Sequence, residues 1–186
     1  MPLNAIVCVN EKNGIGHQGC IPWKSREDMR YFRKMTIGNG NNAIVMGSKT
    51  FKSLGYKPLP QRKNYVITHD PASLMQKTRD KGNDIVFESQ ISNILLLPFI
   101  FDDVFIIGGE SIYKIFESHY NHIYVTYINN HAFCDTFFTV DLTRFYPSIS
   151  RTVEDDKHTL RFVDFINLQR EKQENGDIEM AQIEQI

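Results

Sequence analysis

The chain has 186 residues, 41% apolar and 23% charged, which suits one globular domain able to bury a core without metal or disulfide support. Its 21 basic and 22 acidic side chains leave a net charge of −1, which excludes a global electrostatic footprint for nucleic acid or an anionic membrane. Three cysteines, Cys8, Cys20 and Cys134, are odd in number and lack ligand spacing, so reduced thiols in a cytoplasmic protein and no metal site are expected.

The first apolar run, NAIVCVN, has no basic segment ahead of it and gives way to Asn10, Glu11 and Lys12, so it reads as a strand and not a signal peptide. GIGHQGCIPW follows, with three glycines, a proline and the only tryptophan in ten positions. Those residues suit a shaped loop, although a plain surface turn uses the same ones. SREDMRYFRKMT is the clearest helical pattern: Ser25 can cap it, and Met29, Phe32 and Met35 or Thr36 share a face. NNAIVMG reads as a strand running into a short helix, SKTFKSL, and NYVIT and DIVFE as further strands.

QISNILLL reads as another short helix. The greasy stretch ILLLPFIFDDVFIIGG is broken by Pro98, Asp102 and Asp103 before reaching the roughly 18 to 20 residues that span a bilayer, so no membrane association is expected. DVFIIGG is a strand that opens a helix, ESIYKIF, and HIYVTYI is another strand. After Ile128 come a long loop containing FCDTFF and a late strand, RFVDFINLQ. The alternation predicts an α/β fold: a doubly wound, mainly parallel central sheet with an antiparallel C-terminal edge strand and flanking helices. It is expected to fill residues 1–170, with 171–186 a polar tail.

Ligands of such sheets gather beyond the carboxyl ends of the strands. Two strands end there in glycine immediately before a helix. Gly47 precedes Ser48, Lys49 and Thr50, while Gly108 and Gly109 precede Glu110, Ser111 and Ile112. Free backbone N–H groups at such starts favour an anion, and two in one sheet suit a dinucleotide pyrophosphate. Asp28 stands at the start of an apolar helical face, where it either complements the helix dipole or pairs with the N–C–N edge of a planar heterocycle. Arg62, between a proline turn and a strand, is either a solvated charge or a fork for a carboxylate. The six histidines show no ligand spacing, and no nucleophile is assigned.

In this order the motifs IVCVNEKNGIGHQGCIPW, DMRYFRKMT, AIVMGSKTFKSL, PLPQRKNYVIT, FIIGGESIY and YVTYINNHAFCDTFF resemble those of the dihydrofolate reductase family, from about Asn4 to Phe165. The resemblance implies hydride transfer from NADPH to C6 of 7,8-dihydrofolate with protonation of N5, inhibition by antifolates such as methotrexate, and a monomer with no nucleic-acid partner. Asp28 would then bind the pterin and promote N5 protonation through water. Thr136 would hydrogen-bond that carboxylate or its water, Ile21 would lie beside the nicotinamide, and Trp23 would hold water. Met29, Phe32, Ser53, Leu54 and Leu59 would line the folate cleft, and Arg62 would take the glutamate carboxylate. Ile6, Val7, Cys8, Ile107 and Tyr113 would border both rings.

Ile15, Gly16 and Gly19 of the opening loop would close over the cofactor, whose phosphates would meet Gly47 to Thr50 and Gly108 to Tyr113. The resemblance further implies a cis peptide between Gly108 and Gly109. Ser48 and Ser89 stand where many relatives carry basic residues, which leaves Lys49, Thr68 and His69 to meet the 2′-phosphate. The alternatives are the similarly folded reductase of riboflavin biosynthesis and a noncatalytic folate- or RNA-binding relative. Asp28, Arg62 and the glycine pair argue against both.

Overall fold

The structure is a computed structural model, and it describes residues 3–78, 84–155 and 157–168. The expected tail, 171–186, lies outside them. β1 (Leu3–Val9), β3 (Ala43–Gly47), β4 (Lys63–Ile67), β5 (Ile85–Glu88), β6 (Val104–Ile106) and β7 (His122–Ile128) form the parallel part of an eight-stranded sheet. The spatial order is β5-β4-β3-β6-β1-β7, continued by β10 (Thr159–Ile166) and β9 (Tyr146–Glu154). β10 pairs antiparallel to β7, and β9 antiparallel to β10. The sheet is thus mainly parallel with an antiparallel C-terminal end. That end contains two strands where the sequence reading isolated one, and the late strand RFVDFINLQ lies one place in from the edge.

The central strands are apolar because both their faces are covered. Ala5, Val45 and Ile106 are completely buried on one side with Phe116, Tyr120 and Ile123. Ile44, Met46, Phe51, Val66 and Phe105 fill the other. Buried tyrosines need partners for their hydroxyls. Tyr120 accordingly donates to Tyr113 O at 2.9 Å, and Tyr113 to Ile6 O at 2.8 Å.

α1 (Arg26–Ile37) starts where Ser25 Oγ accepts from Asp28 N at 3.1 Å, and it stops at Gly38, whose φ of 53° a residue with a Cβ rarely adopts. α2 (Ser48–Ser53) and α5 (Glu110–Ile115) follow the two glycine junctions. α4 (Ile91–Ile94) is shorter than QISNILLL suggested, because Pro98 turns the chain into a 3-10 turn over Leu97–Phe99. α3 (Pro71–Lys77) has a signal that the reading passed over: Asp70 caps Ser73 N at 3.0 Å, with proline in the first turn.

β2 (Gly14–Gly16) and β8 (Thr136–Phe137) form a separate antiparallel ribbon. It ties the opening loop to the long loop after β7, and that contact explains the glycine at position 14. A Cβ on Gly14 would lie 2.5 Å from Cys134 Sγ and 2.9 Å from Asn10 Oδ1. Only glycine permits the approach. Asn10 locks the loop base, accepting from Gly14 N at 2.8 Å and donating to Ala132 O at 3.0 Å.

Candidate active site

Asp28 lies in the first turn of α1, facing Cys8 of β1 and Thr126 of β7, which are register partners in adjacent strands. Burial pushes its carboxyl pKa up, opposed by the Thr126 and Cys8 side chains, and the Asp155 charge adds to the rise. Among the described residues, none of the groups acting on it is a cation. Cys8 is pushed well up in turn, by burial and by the Asp28 charge, with Trp23 acting in the opposite direction. Two polar atoms in this group, Trp23 Nε1 and Thr126 Oγ1, are buried, and their contacts with Cys8 and Asp28 respectively fall short of full hydrogen-bond geometry. Buried polar groups are almost always paired, so this recess is shaped for a polar guest or a water.

Thr136 is not part of the recess. Its Oγ1 donates to Asp135 Oδ1 at 2.9 Å, and it lies across from Gly16 in the ribbon. The threonine beside Asp28 is Thr126, which the sequence reading missed. Its position in YVTYI, opposite Cys8 in register, is the signal that would have found it.

Arg62 is only 6% exposed, which rules out the solvated-charge reading. Its Nε donates to Pro60 O at 2.9 Å, and its Nη1 bonds Thr36 Oγ1, itself a donor to Phe32 O at 2.7 Å. Burial and nearby Arg33 lower its pKa to about 10, so it remains a cation at neutral pH. Its Nη2 has no partner among the described residues, and that edge suits a carboxylate. Phe32, Leu54 and Leu59 are partly buried against the core cluster that contains Phe51 and Ile6. Met29 and Ile21 are both 60% exposed, while Ser53, also exposed, turns back to Thr50 O at 2.7 Å.

On the other side of β1 the two glycine junctions meet. Gly47 N donates to Gly108 O at 2.8 Å, and the peptide between Gly108 and Gly109 is cis. A Cβ on Gly47 would fall 2.9 Å from Ile112 Cγ1, and one on Gly108 3.0 Å from Tyr113 Cε2. At Gly109 it would meet only Thr50 Oγ1, at 3.6 Å. Neither α2 nor α5 has a side-chain cap, so free N–H groups of both starts remain for an anion. Ile107 N donates to Val45 O at 2.9 Å, and Val7 is buried in β1.

Ile15 packs partly on the core, Gly16 O accepts from Asp135 N at 3.0 Å, and Gly19 has a φ of 77° with open space around it. Thr68 and His69 follow β4, and Lys49 is exposed on α2. Ser89 follows β5, but its amide is occupied, donating to Glu88 Oε1 at 2.8 Å.

A mainly parallel, doubly wound α/β protein with two candidate ligand recesses beside the carboxyl ends of its strands is the class that this sheet defines. Comparison with known proteins is specific. The family model for dihydrofolate reductase matches residues 2–170. A dihydrofolate reductase from Schistosoma mansoni is 36% identical over 151 residues, 74% of this chain and 78% of that protein. One from Heliothis virescens is 32% identical over 95% of this chain and 92% of its own length. The fold matches a structure of the Enterococcus faecalis dihydrofolate reductase complexed with NADP(H) and RAB-propyl, with a TM-score of 0.76 and 25% identity over 90% of this chain and 96% of that one. The chain belongs to the dihydrofolate reductase family.

Proposed function

We propose that this chain reduces 7,8-dihydrofolate to 5,6,7,8-tetrahydrofolate with NADPH, supplying one-carbon metabolism and thymidylate and purine synthesis. The observation that carries the reading is Asp28: a carboxylate whose pKa is raised by burial, beside two buried polar atoms whose hydrogen bonds to the protein are incomplete. When bound, NADPH supplies the hydride that reaches C6. The rest is positioning and charge.

Asp28 accepts two hydrogen bonds from the N–C–N edge of the pterin and favours the protonated form of N5 through a water held by Trp23 Nε1. Thr126 tunes that carboxylate. Arg62 takes the glutamate carboxylate through Nη2, with Phe32, Met29, Ser53, Leu54 and Leu59 along the cleft. Ile6, Val7, Cys8, Ile107 and Tyr113 border the two rings, which Ile21 helps cover from the opening loop.

Gly47, Ser48, Thr50, Gly109, Glu110, Ser111 and Ile112 provide the phosphate cradle, and the two uncapped helix starts support that fit. Lys49, Thr68 and His69 face the ribose phosphate. The catalytic domain is residues 1–170, in keeping with the extent of the family match.

The enzyme acts as a cytoplasmic monomer without a nucleic-acid partner. The balanced net charge supports the absence of a nucleic-acid partner, and the three free cysteines support a reducing compartment. The test is loss of reduced-nicotinamide absorbance on adding dihydrofolate. Turnover that methotrexate abolishes is expected, and folded protein that binds both ligands without turnover would overturn the reading.

A further inference from the structure

The cap of α1 is held from far along the chain. Ser25 is buried, and its hydroxyl has two partners: Oγ accepts from Asp28 N at 3.1 Å and donates to Asp155 Oδ2. Asp155 follows β9, the outermost strand, and stands 130 residues beyond Ser25 in sequence. Its carboxylate is itself seated. Oδ1 accepts from Lys157 N and His158 N at 3.1 Å each, and the Asp155 amide donates to His158 O at 2.9 Å. One carboxylate oxygen thus closes the turn into β10, and the other fixes the Ser25 hydroxyl. With its proton committed to Asp155, Ser25 Oγ has a lone pair for the backbone of the residue that carries the recess carboxylate.

β9 meets α1 a second time. Arg151 lies over the rings of Tyr31 and Phe162, 5.5 and 4.6 Å from their centroids, and those two rings meet edge to face at 4.6 Å. The edge strand therefore braces α1 at its cap and again at Tyr31, one turn further on.

Asp155 also brings a charge. The hydrogen bond from Ser25 is the largest influence lowering its pKa, so it is ionised at neutral pH, and His158 is the titratable side chain that faces it. Around Asp28, burial raises Cys8, Tyr113 and Tyr31, the last to about 12, so all three stay protonated there. Of the groups acting on the Asp28 carboxyl, Asp155 alone is charged.

We propose that Asp155 is a positioning residue of the reductase reaction: through Ser25 it fixes the first turn of α1, and it sets a second negative charge near the carboxylate that meets the pterin. The proposal rests on the role of Asp28 in the reading above. Two negative charges favour a proton in the recess, on Asp28 or on the N5 that it serves, up to a higher pH than one would.

The test compares the wild type with Asp155→Asn, which keeps an acceptor for the two turn amides and removes the charge. The Asp28 carboxyl, followed by carbon-13 NMR of the ligand-free protein, should titrate at lower pH in the variant. The falling limb of kcat against pH should move the same way. Turnover should drop about threefold at pH 8 and stay within about 1.5-fold at pH 5, the order of one partly exposed, screened charge. Asp155→Glu restores the charge and should return both curves towards the wild type.

An unmoved Asp28 titration in folded Asp155→Asn would overturn the proposal and leave Asp155 a brace for the turn, which only the Tm would register. A titration that moves in a protein unable to reduce dihydrofolate would uphold the coupling of Asp155 to Asp28 and overturn the reductase reading instead. The wild type alone supplies a further check. Raising KCl from about 0.02 M to about 0.5 M screens Asp155 and should lower the pH at which Asp28 titrates, and a midpoint that stays put or rises would overturn the proposal.

Discussion

Replacing Asp28 with asparagine should make the protein more stable and far less active. The ionised carboxylate costs the folded state free energy, since burial outweighs the help it receives from Thr126 and Cys8 and the Asp155 charge adds to the cost. Its folded pKa is raised above the unfolded value. The penalty is therefore absent below the unfolded pKa and grows as pH rises through the folded pKa. Asparagine removes it.

The expected gain at pH 7 is about 1 kcal/mol, the lower part of the range for one imperfectly compensated buried polar group, and it corresponds to a rise in Tm of about 2–4 °C for a chain of this size. The gain should shrink towards zero in acid. Turnover should fall by about 10²- to 10³-fold at pH 8, the usual worth of a positioned proton-transfer group, and by less at pH 5, where solvent protonates the pterin more readily. Thermal melts from pH 4 to 8 and steady-state rates over the same range measure both. A variant that is less stable at pH 7, or that turns over normally at pH 8, would refute the assignment of Asp28 as a strained functional carboxylate.

Thr126→Val should raise the Asp28 pKa further and move the kcat–pH profile to higher pH, while Thr136→Val leaves the profile in place; the reverse result would return the role to Thr136. Arg62→Leu should raise the dihydrofolate KM at least about tenfold with kcat within about twofold, because the guanidinium contacts a part of the substrate remote from the reacting ring. An unchanged KM would leave Arg62 a structural brace for Thr36. Among the thiols, exposed Cys20 should be alkylated first by iodoacetamide at pH 8, as read by mass spectrometry. Burial holds Cys8 and Cys134 in the protonated form, and the charges of Asp28 and Asp135 respectively reinforce this, so rapid labelling of Cys8 would contradict the recess described here.

The parts of the fold legible in the sequence are those where burial acts on every residue. β3 and β6 are apolar throughout, and β1 is apolar but for Asn4, because both faces of these strands are buried, and α1 declares itself through Ser25 and its apolar face. β9 was not legible, since YPSISRTVE is a polar edge strand with no continuous apolar run, and its ladder with β10 is irregular near Pro147. The site divides in the same way. Gly47 and Gly108 mark their junctions because a Cβ there would crowd Ile112 and Tyr113. Thr126 and Thr136 sit in equally suggestive motifs, and only the pairing of β1 with β7 distinguishes them. The burial of Arg62 and the contact of Asp155 with Ser25 are tertiary facts that no local pattern encodes.

The central claim is that one recess brings the pterin and the reduced nicotinamide together for direct hydride transfer, and the most direct measurement is the fate of that hydrogen. With cofactor deuterated at the transferring position of nicotinamide C4 and dihydrofolate in ordinary water, the account predicts tetrahydrofolate carrying deuterium at C6 and protium at N5, with none formed by Asp28→Asn at an appreciable rate at pH 8. Product with protium at C6, or no product from protein that binds both ligands, would contradict it.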